Sequence, residues 1–423
     1  MNNLKLTLYP RELLFSFFLL FLPISLILEM NTNIGLASYT DEVLCIICIL
    51  YTIYFSFKRG IKSTDLLILI LLIVLSAFTL IGNFSSKLVS TYMPIIVDFI
   101  ALAKMITPFI VYRHIAMFDK NQKILNYLVF PSKLLILSGS FFGFISLFFN
   151  IGMTSGKRYG IPAFQFIFAN HARFGYIVAC CLLILMIAKV EPKKLIIYKI
   201  LSLFCMILTT KGVVYIIVIC YLLLQLMWRN KKELKFTLKN IVFLVIGTLA
   251  ISGLQINTYL KDSTSPRVIL LKYGFKTANT YFPFGSGFAT YGSDSAARNY
   301  SPLYDLYGFD KYYGLTREYG AFLNDCYSGM VFGEFGYIGA IIFIAILVLI
   351  FIAVNKTDSL GKGVKAMIMA IFIGLIVSSI GTAIIKSSIG VFVFAVLGTA
   401  CGYASNSRVI TLNQNAETLE KGR

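Results

Sequence analysis

Apolar runs long enough to cross a bilayer recur along this chain, and nothing else narrows its fold so far. About 20 residues of helix span a ~30 Å hydrocarbon layer. Twelve stretches approach or meet that length: 12–30, 38–57, 65–83, 91–112, 126–149, 172–189, 195–209, 212–228, 239–257, 334–354, 363–382 and 387–405. Across its 423 residues the chain is 58% hydrophobic and only 13% charged, where a soluble domain carries roughly 25% charged residues. The expectation is an all-α polytopic membrane protein of about twelve transmembrane helices. Thr209-Thr210-Lys211-Gly212 interrupts an otherwise continuous run. That run is either a helix hairpin with its tip at Lys211 or one long span with a second segment that dips in.

Lysine and arginine orient such spans, because they collect in the short loops of the cytoplasmic side. With the N-terminus inside, the inner segments hold Lys5 and Arg11, then Lys58, Arg59 and Lys62, then Arg113, Lys120 and Lys123, then Lys189, Lys193 and Lys194. Arg229 to Lys235, Lys356 to Lys365 and Arg408 to Arg423 continue the series, so both termini are expected in the cytoplasm. The formal charge of +19 is thereby read as orienting loops rather than as a nucleic-acid surface. Seven of the eight cysteines lie in apolar runs, where Cys behaves as a small hydrophobe. The first apolar run lacks a small-residue cleavage site and reads as a signal anchor.

One long polar region breaks this pattern. It divides the chain into a first membrane region (1–257), a large external loop (258–333), a second membrane region (334–405) and a cytoplasmic tail (406–423). The loop opens on a basic, helix-like run from Pro266-Arg267 to Lys276. It passes a Pro-Phe-Gly-Ser-Gly turn at 283–287 and a tyrosine-rich middle, and closes on Asn324-Asp325-Cys326-Tyr327 before Glu334. Cations on the outer side run against the topological bias: Lys157-Arg158 with His171 and Arg173, then Lys211, then Arg267 onward. Their retention points to an anion. Asp98 and Lys104, within one span, are six residues apart and so off the i,i+3 and i,i+4 face; they are expected to pair with other helices. No HExxH, Cys-His cluster, G-x-S-x-G or phosphate loop is present.

Cations, a carboxylate and aromatic rings at a membrane face suit transfer of a glycan from a lipid pyrophosphate. Charge develops on the departing pyrophosphate, and fixed cations stabilise it; a carboxylate or imidazole takes the proton of the attacking hydroxyl. Arg267, Arg158, Lys211, Arg173 and Lys276 are the candidate phosphate ligands, with Gly285 and Gly287 in the turn beside them. Asp325 and His171 are the candidate bases. Each has a plainer reading: Asp325 as a helix N-cap, Glu334 as a favourable first-turn carboxylate, the glycines as turn formers. The scheme requires no metal and no cofactor.

Four pieces resemble the bacterial O-antigen polymerase and O-antigen ligase superfamily: Arg158-Tyr-Gly160 with Phe164 and Asn170-His171-Ala172; Thr209-Thr210-Lys211-Gly212; Arg267 leading to Pro283-Phe-Gly-Ser-Gly287; and Asp325 followed by Gly336-Tyr-Ile-Gly339. The resemblance covers residues 157–340. It implies a GT-C-like membrane glycosyltransferase that joins undecaprenyl-pyrophosphate-linked repeat units at the periplasmic face of the bacterial inner membrane. Lipid-linked oligosaccharides would be donor and acceptor, membrane lipid would surround the chain, a chain-length regulator would be a partner, and no nucleic acid would be involved. Ligases of the superfamily carry a His-Asn pair where this chain has Asp325-Cys326, which favours polymerase over ligase. Lys211 stands where an Arg is frequent and gives up the planar fork. The rival of another class is a non-enzymatic lipid-oligosaccharide flippase.

Overall fold

A computed structural model describes residues 10–31, 39–58, 60–119, 121–158, 160–229 and 265–421. Among them the helices α1 (Pro10–Asn31), α2 (Thr40–Lys58), α3 (Ser63–Ser86), α4 (Tyr92–Phe118) and α5 (Lys123–Ser146) come first. A two-stranded antiparallel hairpin follows, β1 (Thr154–Arg158) and β2 (Ile161–Phe164). Next are α6 (His171–Ile187), α7 (Pro192–Leu208), α8 (Gly212–Trp228), α9 (Pro266–Thr280) and the short helices α10 (Asp294–Arg298) and α11 (Pro302–Leu306). Helices α12 (Tyr327–Asn355), α13 (Lys362–Gly381) and α14 (Ser388–Lys421) close the chain. Among the described residues, eight helices are long and apolar enough to cross a membrane. The chain is a mostly helical, multi-pass membrane protein.

The sequence expectations are met at most runs and amended at two places, the start of the 334–354 run and the all-α class. The 195–228 run is two helices of 17 residues each, broken at Thr210, which takes a left-handed φ of 48°. The 239–257 run lies outside the described residues. The 334 boundary is wrong: α12 starts at Tyr327, so Glu334 lies two turns inside it rather than in its first turn. All-α is amended by the hairpin, where Gly156 and Gly160 at positive φ turn the chain and Arg158 pairs with Ile161.

Burial separates the helices by role. Of the span 388–407 in α14, 89% is buried, and of α4 67%, whereas α1, α2, α3 and α5 bury only 33–39% and present their remaining apolar faces outward. Small residues let α14 reach the α4 backbone: a Cβ on Gly398 or Gly402 would strike the carbonyls of Phe109 and Arg113, the close approach typical of membrane helices. The two intramembrane charges on α4 do pair across helices. Lys104 donates to Asp41 at 2.6 Å and Glu42 at 2.8 Å on α2, and Asp98 accepts from Lys386 at 2.8 Å.

The external loop is a folded body rather than an open chain. Residues 285–291 are buried, threaded between the loop ends of α3, α4 and α12. Asn83 holds both sides of the Phe288 peptide, its Nδ2 donating to the carbonyl at 2.8 Å and its Oδ1 accepting from the amide at 2.8 Å. The Ala289 amide donates to Asp98 at 2.9 Å. Thr290 and Tyr291 amides donate to Glu334 Oε1, each at 3.1 Å, and Ser293 Oγ donates to the same atom at 2.7 Å. In return α12 breaks at Gly336, whose φ of 65° and ψ of −173° are non-helical. Above this plug the tyrosines build a core of their own. Tyr291 and Tyr304 are fully buried, and the Tyr304 ring stacks on Phe309 at 5.2 Å. Tyr313 and Tyr319, at 75% and 52% exposure, lie outside that core.

Candidate functional site

Four elements deliver charged side chains to the loop end of the bundle. Arg267 occupies the first turn of α9, where Pro266 takes a first position that needs no N–H. Its Nε and Nη2 both donate to Asp325 Oδ2, at 3.0 and 2.7 Å. Asp325 precedes α12, whose N-cap residue is Cys326, its thiol meeting Ser328 Oγ at 3.5 Å rather than capping the helix; the N-cap reading of Asp325 therefore gives way to an ion pair. Lys211 is the N-cap residue of α8, again without a side-chain cap. Arg158 ends β1 and is exposed. His171 opens α6 behind Asn170, whose Oδ1 accepts from the Ala172 and Arg173 amides at 2.9 and 3.3 Å, and its Nε2 lies 3.0 Å from Ser155 Oγ.

These groups feel one another. Burial depresses the Lys211 amine below its ordinary value, the charges of Arg158 and Arg267 depress it further, and Asp325 partly opposes them. Burial lifts the Asp325 carboxyl above the usual aspartate value, against the pull of Arg267 and Lys211. The fields of Arg158 and Lys211 also fall on His171. Arg267 and Lys211 thus act on Asp325, and Arg158 acts on Lys211 and His171, which gathers three cations and one carboxylate in a single neighbourhood. Two helices, α8 and α12, begin there without a capping side chain, and uncapped helix starts favour anions. The excess positive charge is what an anionic ligand neutralises.

The other nominated residues sit elsewhere. Arg173 lies in the same first turn as His171. Lys276 is nine residues beyond Arg267, about 13 Å along the helix, with its amine over the rings of Tyr273 and Tyr307 at 5.4 and 5.0 Å. Gly285 and Gly287 belong to the buried plug. Both have positive φ, and a Cβ there would collide with Glu334 and Gly336 or with Asn83. Their role in the structure is close backbone approach.

Below the exposed group lies a sealed one that the motif search did not assemble. Lys386 joins Asp98, touches Met330 Sδ at 3.0 Å and lies 5.8 Å from the centre of the Tyr327 ring. Glu334 on α12 and Asp98 on α4 hold neighbouring amides of the plug, Thr290 and Tyr291 on the one and Ala289 on the other. Tyr327 Oη and Glu334 Oε2 have no hydrogen-bond partner among the described residues. Signals existed: Asp98 inside a span and Lys386 on the topologically wrong side. Their juxtaposition required the fold. Comparison with protein-family models and with curated proteins returns no match for this chain.

Proposed function

We propose that the chain is a membrane glycosyltransferase of about twelve spans and GT-C-like architecture, with both termini cytoplasmic in a bacterial inner membrane. It joins oligosaccharide repeat units carried on undecaprenyl pyrophosphate into a surface polysaccharide at the periplasmic face. The observation that supports this reading is the part-exposed Arg267–Asp325 ion pair with Lys211 near enough to act on Asp325 and Arg158 near enough to act on Lys211. The donor pyrophosphate binds the three cations and takes the Arg267 fork from Asp325. Released from its partner, Asp325 accepts the proton of the acceptor sugar hydroxyl as that oxygen attacks the anomeric carbon; His171 is the second group in reach of the site. The bond from the anomeric carbon to the pyrophosphate oxygen breaks, and the electron pair leaves with the lipid pyrophosphate, where fixed cations hold the growing charge. A carboxyl raised by burial is a better base than an exposed aspartate.

A native host lacking the gene and complemented with wild type or with Arg267→Ala/Lys211→Ala tests this. Polymerisation predicts core bearing a single unit, with the polysaccharide ladder restored by wild type alone. A full ladder with the double variant removes the assignment. Bare core with long chains on the carrier would instead mark a ligase, and bare core with units held on the inner leaflet a flippase.

A further inference from the structure

At the opposite end of α12 lies a polar cavity that the glycosyltransferase reading leaves unused. Asp325 adjoins the start of this helix and Lys356 follows its last residue, 29 helical residues on, roughly 40 Å away. The cavity measures about 310 Å³ and is lined by Lys62, Ser63, Thr64, Arg113, Lys356 and Ser405. Orienting loops account for Lys62 and Lys356, since a cation that sets topology needs only to meet water. They do not account for Arg113. Its side chain is 7% exposed and its Nη1 pairs with Asp65 on α3, while its Nε finds no partner among the described residues. A guanidinium carries five donors in a fixed plane, and this one is only part-used by protein. Helix α3 starts at the same cavity, with Ser63 and Thr64 in its lining and no side-chain cap from Lys62. The α3 start, two ammonium groups and a buried guanidinium paired with Asp65 therefore line one space.

We propose that this cavity binds a phosphate group at the face opposite the Arg267 site. The Arg113 plane matches phosphate oxygens in a way an ammonium does not, the α3 start supplies amides, and Lys62 and Lys356 complete the charge. A phospholipid headgroup and free inorganic phosphate share this chemistry.

Native mass spectrometry of the full chain in detergent decides between them, with phosphatidylglycerol, phosphate-free diacylglycerol and inorganic phosphate as probes. Wild type is expected to retain one phosphatidylglycerol more than Lys62→Ala/Lys356→Ala does, at least ten-fold more tightly than diacylglycerol. If millimolar inorganic phosphate displaces that lipid and binds in its stead, free phosphate is the ligand; if not, the headgroup is. Equal lipid and phosphate retention by wild type and the double lysine variant overturns the proposal, as does equal retention of diacylglycerol. Arg113→Gln, run beside a melting curve because it also unpairs Asp65, is expected to lose the same lipid; the surface lysine pair decides the matter should that variant unfold.

Discussion

Two ion pairs stand at the loop end of the molecule and differ in one respect. Arg267–Asp325 keeps 29% and 28% of its side chains exposed. Lys386–Asp98 keeps 8% and 2%. The first can exchange partners, because water reaches it. The second is enclosed by Met330, Tyr327 and the plug, and any partner lost there leaves a charge in a dry interior. A cation–aspartate pair is thus left open to exchange in one place and locked into the interior in the other, and solvent access decides which.

The sharpest way to break the comparison is to unpair the sealed charges. Lys386→Met leaves Asp98 uncompensated and is expected to lose about 3–5 kcal/mol of stability, read as a collapse of melting temperature in detergent. Asp98→Asn with Lys386→Met should recover most of it; a double variant as unstable as the single one would mean the pair is not the cause. Next comes Arg267→Ala, expected to melt within about 1 kcal/mol of wild type, as a part-exposed pair should, while transfer of glycan falls roughly 10²–10³-fold. Arg267→Lys should sit between. Unchanged transfer would erase the functional half of the contrast.

A smaller effect tests the plug that separates the two sites. At Gly336 a Cβ would stand 2.6 Å from the Gly285 amide nitrogen at a φ of 65°. Gly336→Ala should therefore destabilise by about 1–3 kcal/mol, with protease sensitivity appearing in 283–293; a melting temperature equal to wild type would mean the packing there is loose. The smallest effect is a shift of pH limbs. Asp325 is raised, chiefly by burial, so its base form disappears, as pH falls, at a higher pH than for an exposed aspartate. Lys211 is lowered, chiefly by burial, so its charge disappears earlier on the alkaline side. The active window is narrowed from both sides. Lys211→Met removes a cation that favours ionised Asp325 and should move the acid limb up; a rate–pH profile whose acid limb stays still removes Asp325 as the base.

How much of this was written in the sequence depends on the range of the interaction. Helices were legible because each run carries its own period and length, and Arg158, His171, Lys211, Arg267 and Asp325 stood out because outer-side charge has no topological reason. What stayed hidden was pairing at a distance. Glu334 looked like a helix start because the residues before it are mixed in character, yet its carboxylate anchors three donors from 290–293. The tyrosines looked like a sugar platform because composition carries no burial, and Tyr291, Tyr304 and Tyr307 turned out to be core. Gly285 and Gly287 were flagged beside the ligands; only the folded backbone reveals Asn83 and Gly336 pressing on them.

The spacing of the sealed pair has a consequence for how the molecule is made. Asp98 and Lys386 are 288 positions apart, and at ~5–20 residues per second the ribosome needs about 15–60 s to travel between them. Throughout that interval α4 carries an acid whose counterion does not yet exist. The nascent first half must be sheltered or carry Asp98 in its neutral form. A message truncated just before codon 386 would yield nearly the whole polypeptide and still none of the native protein.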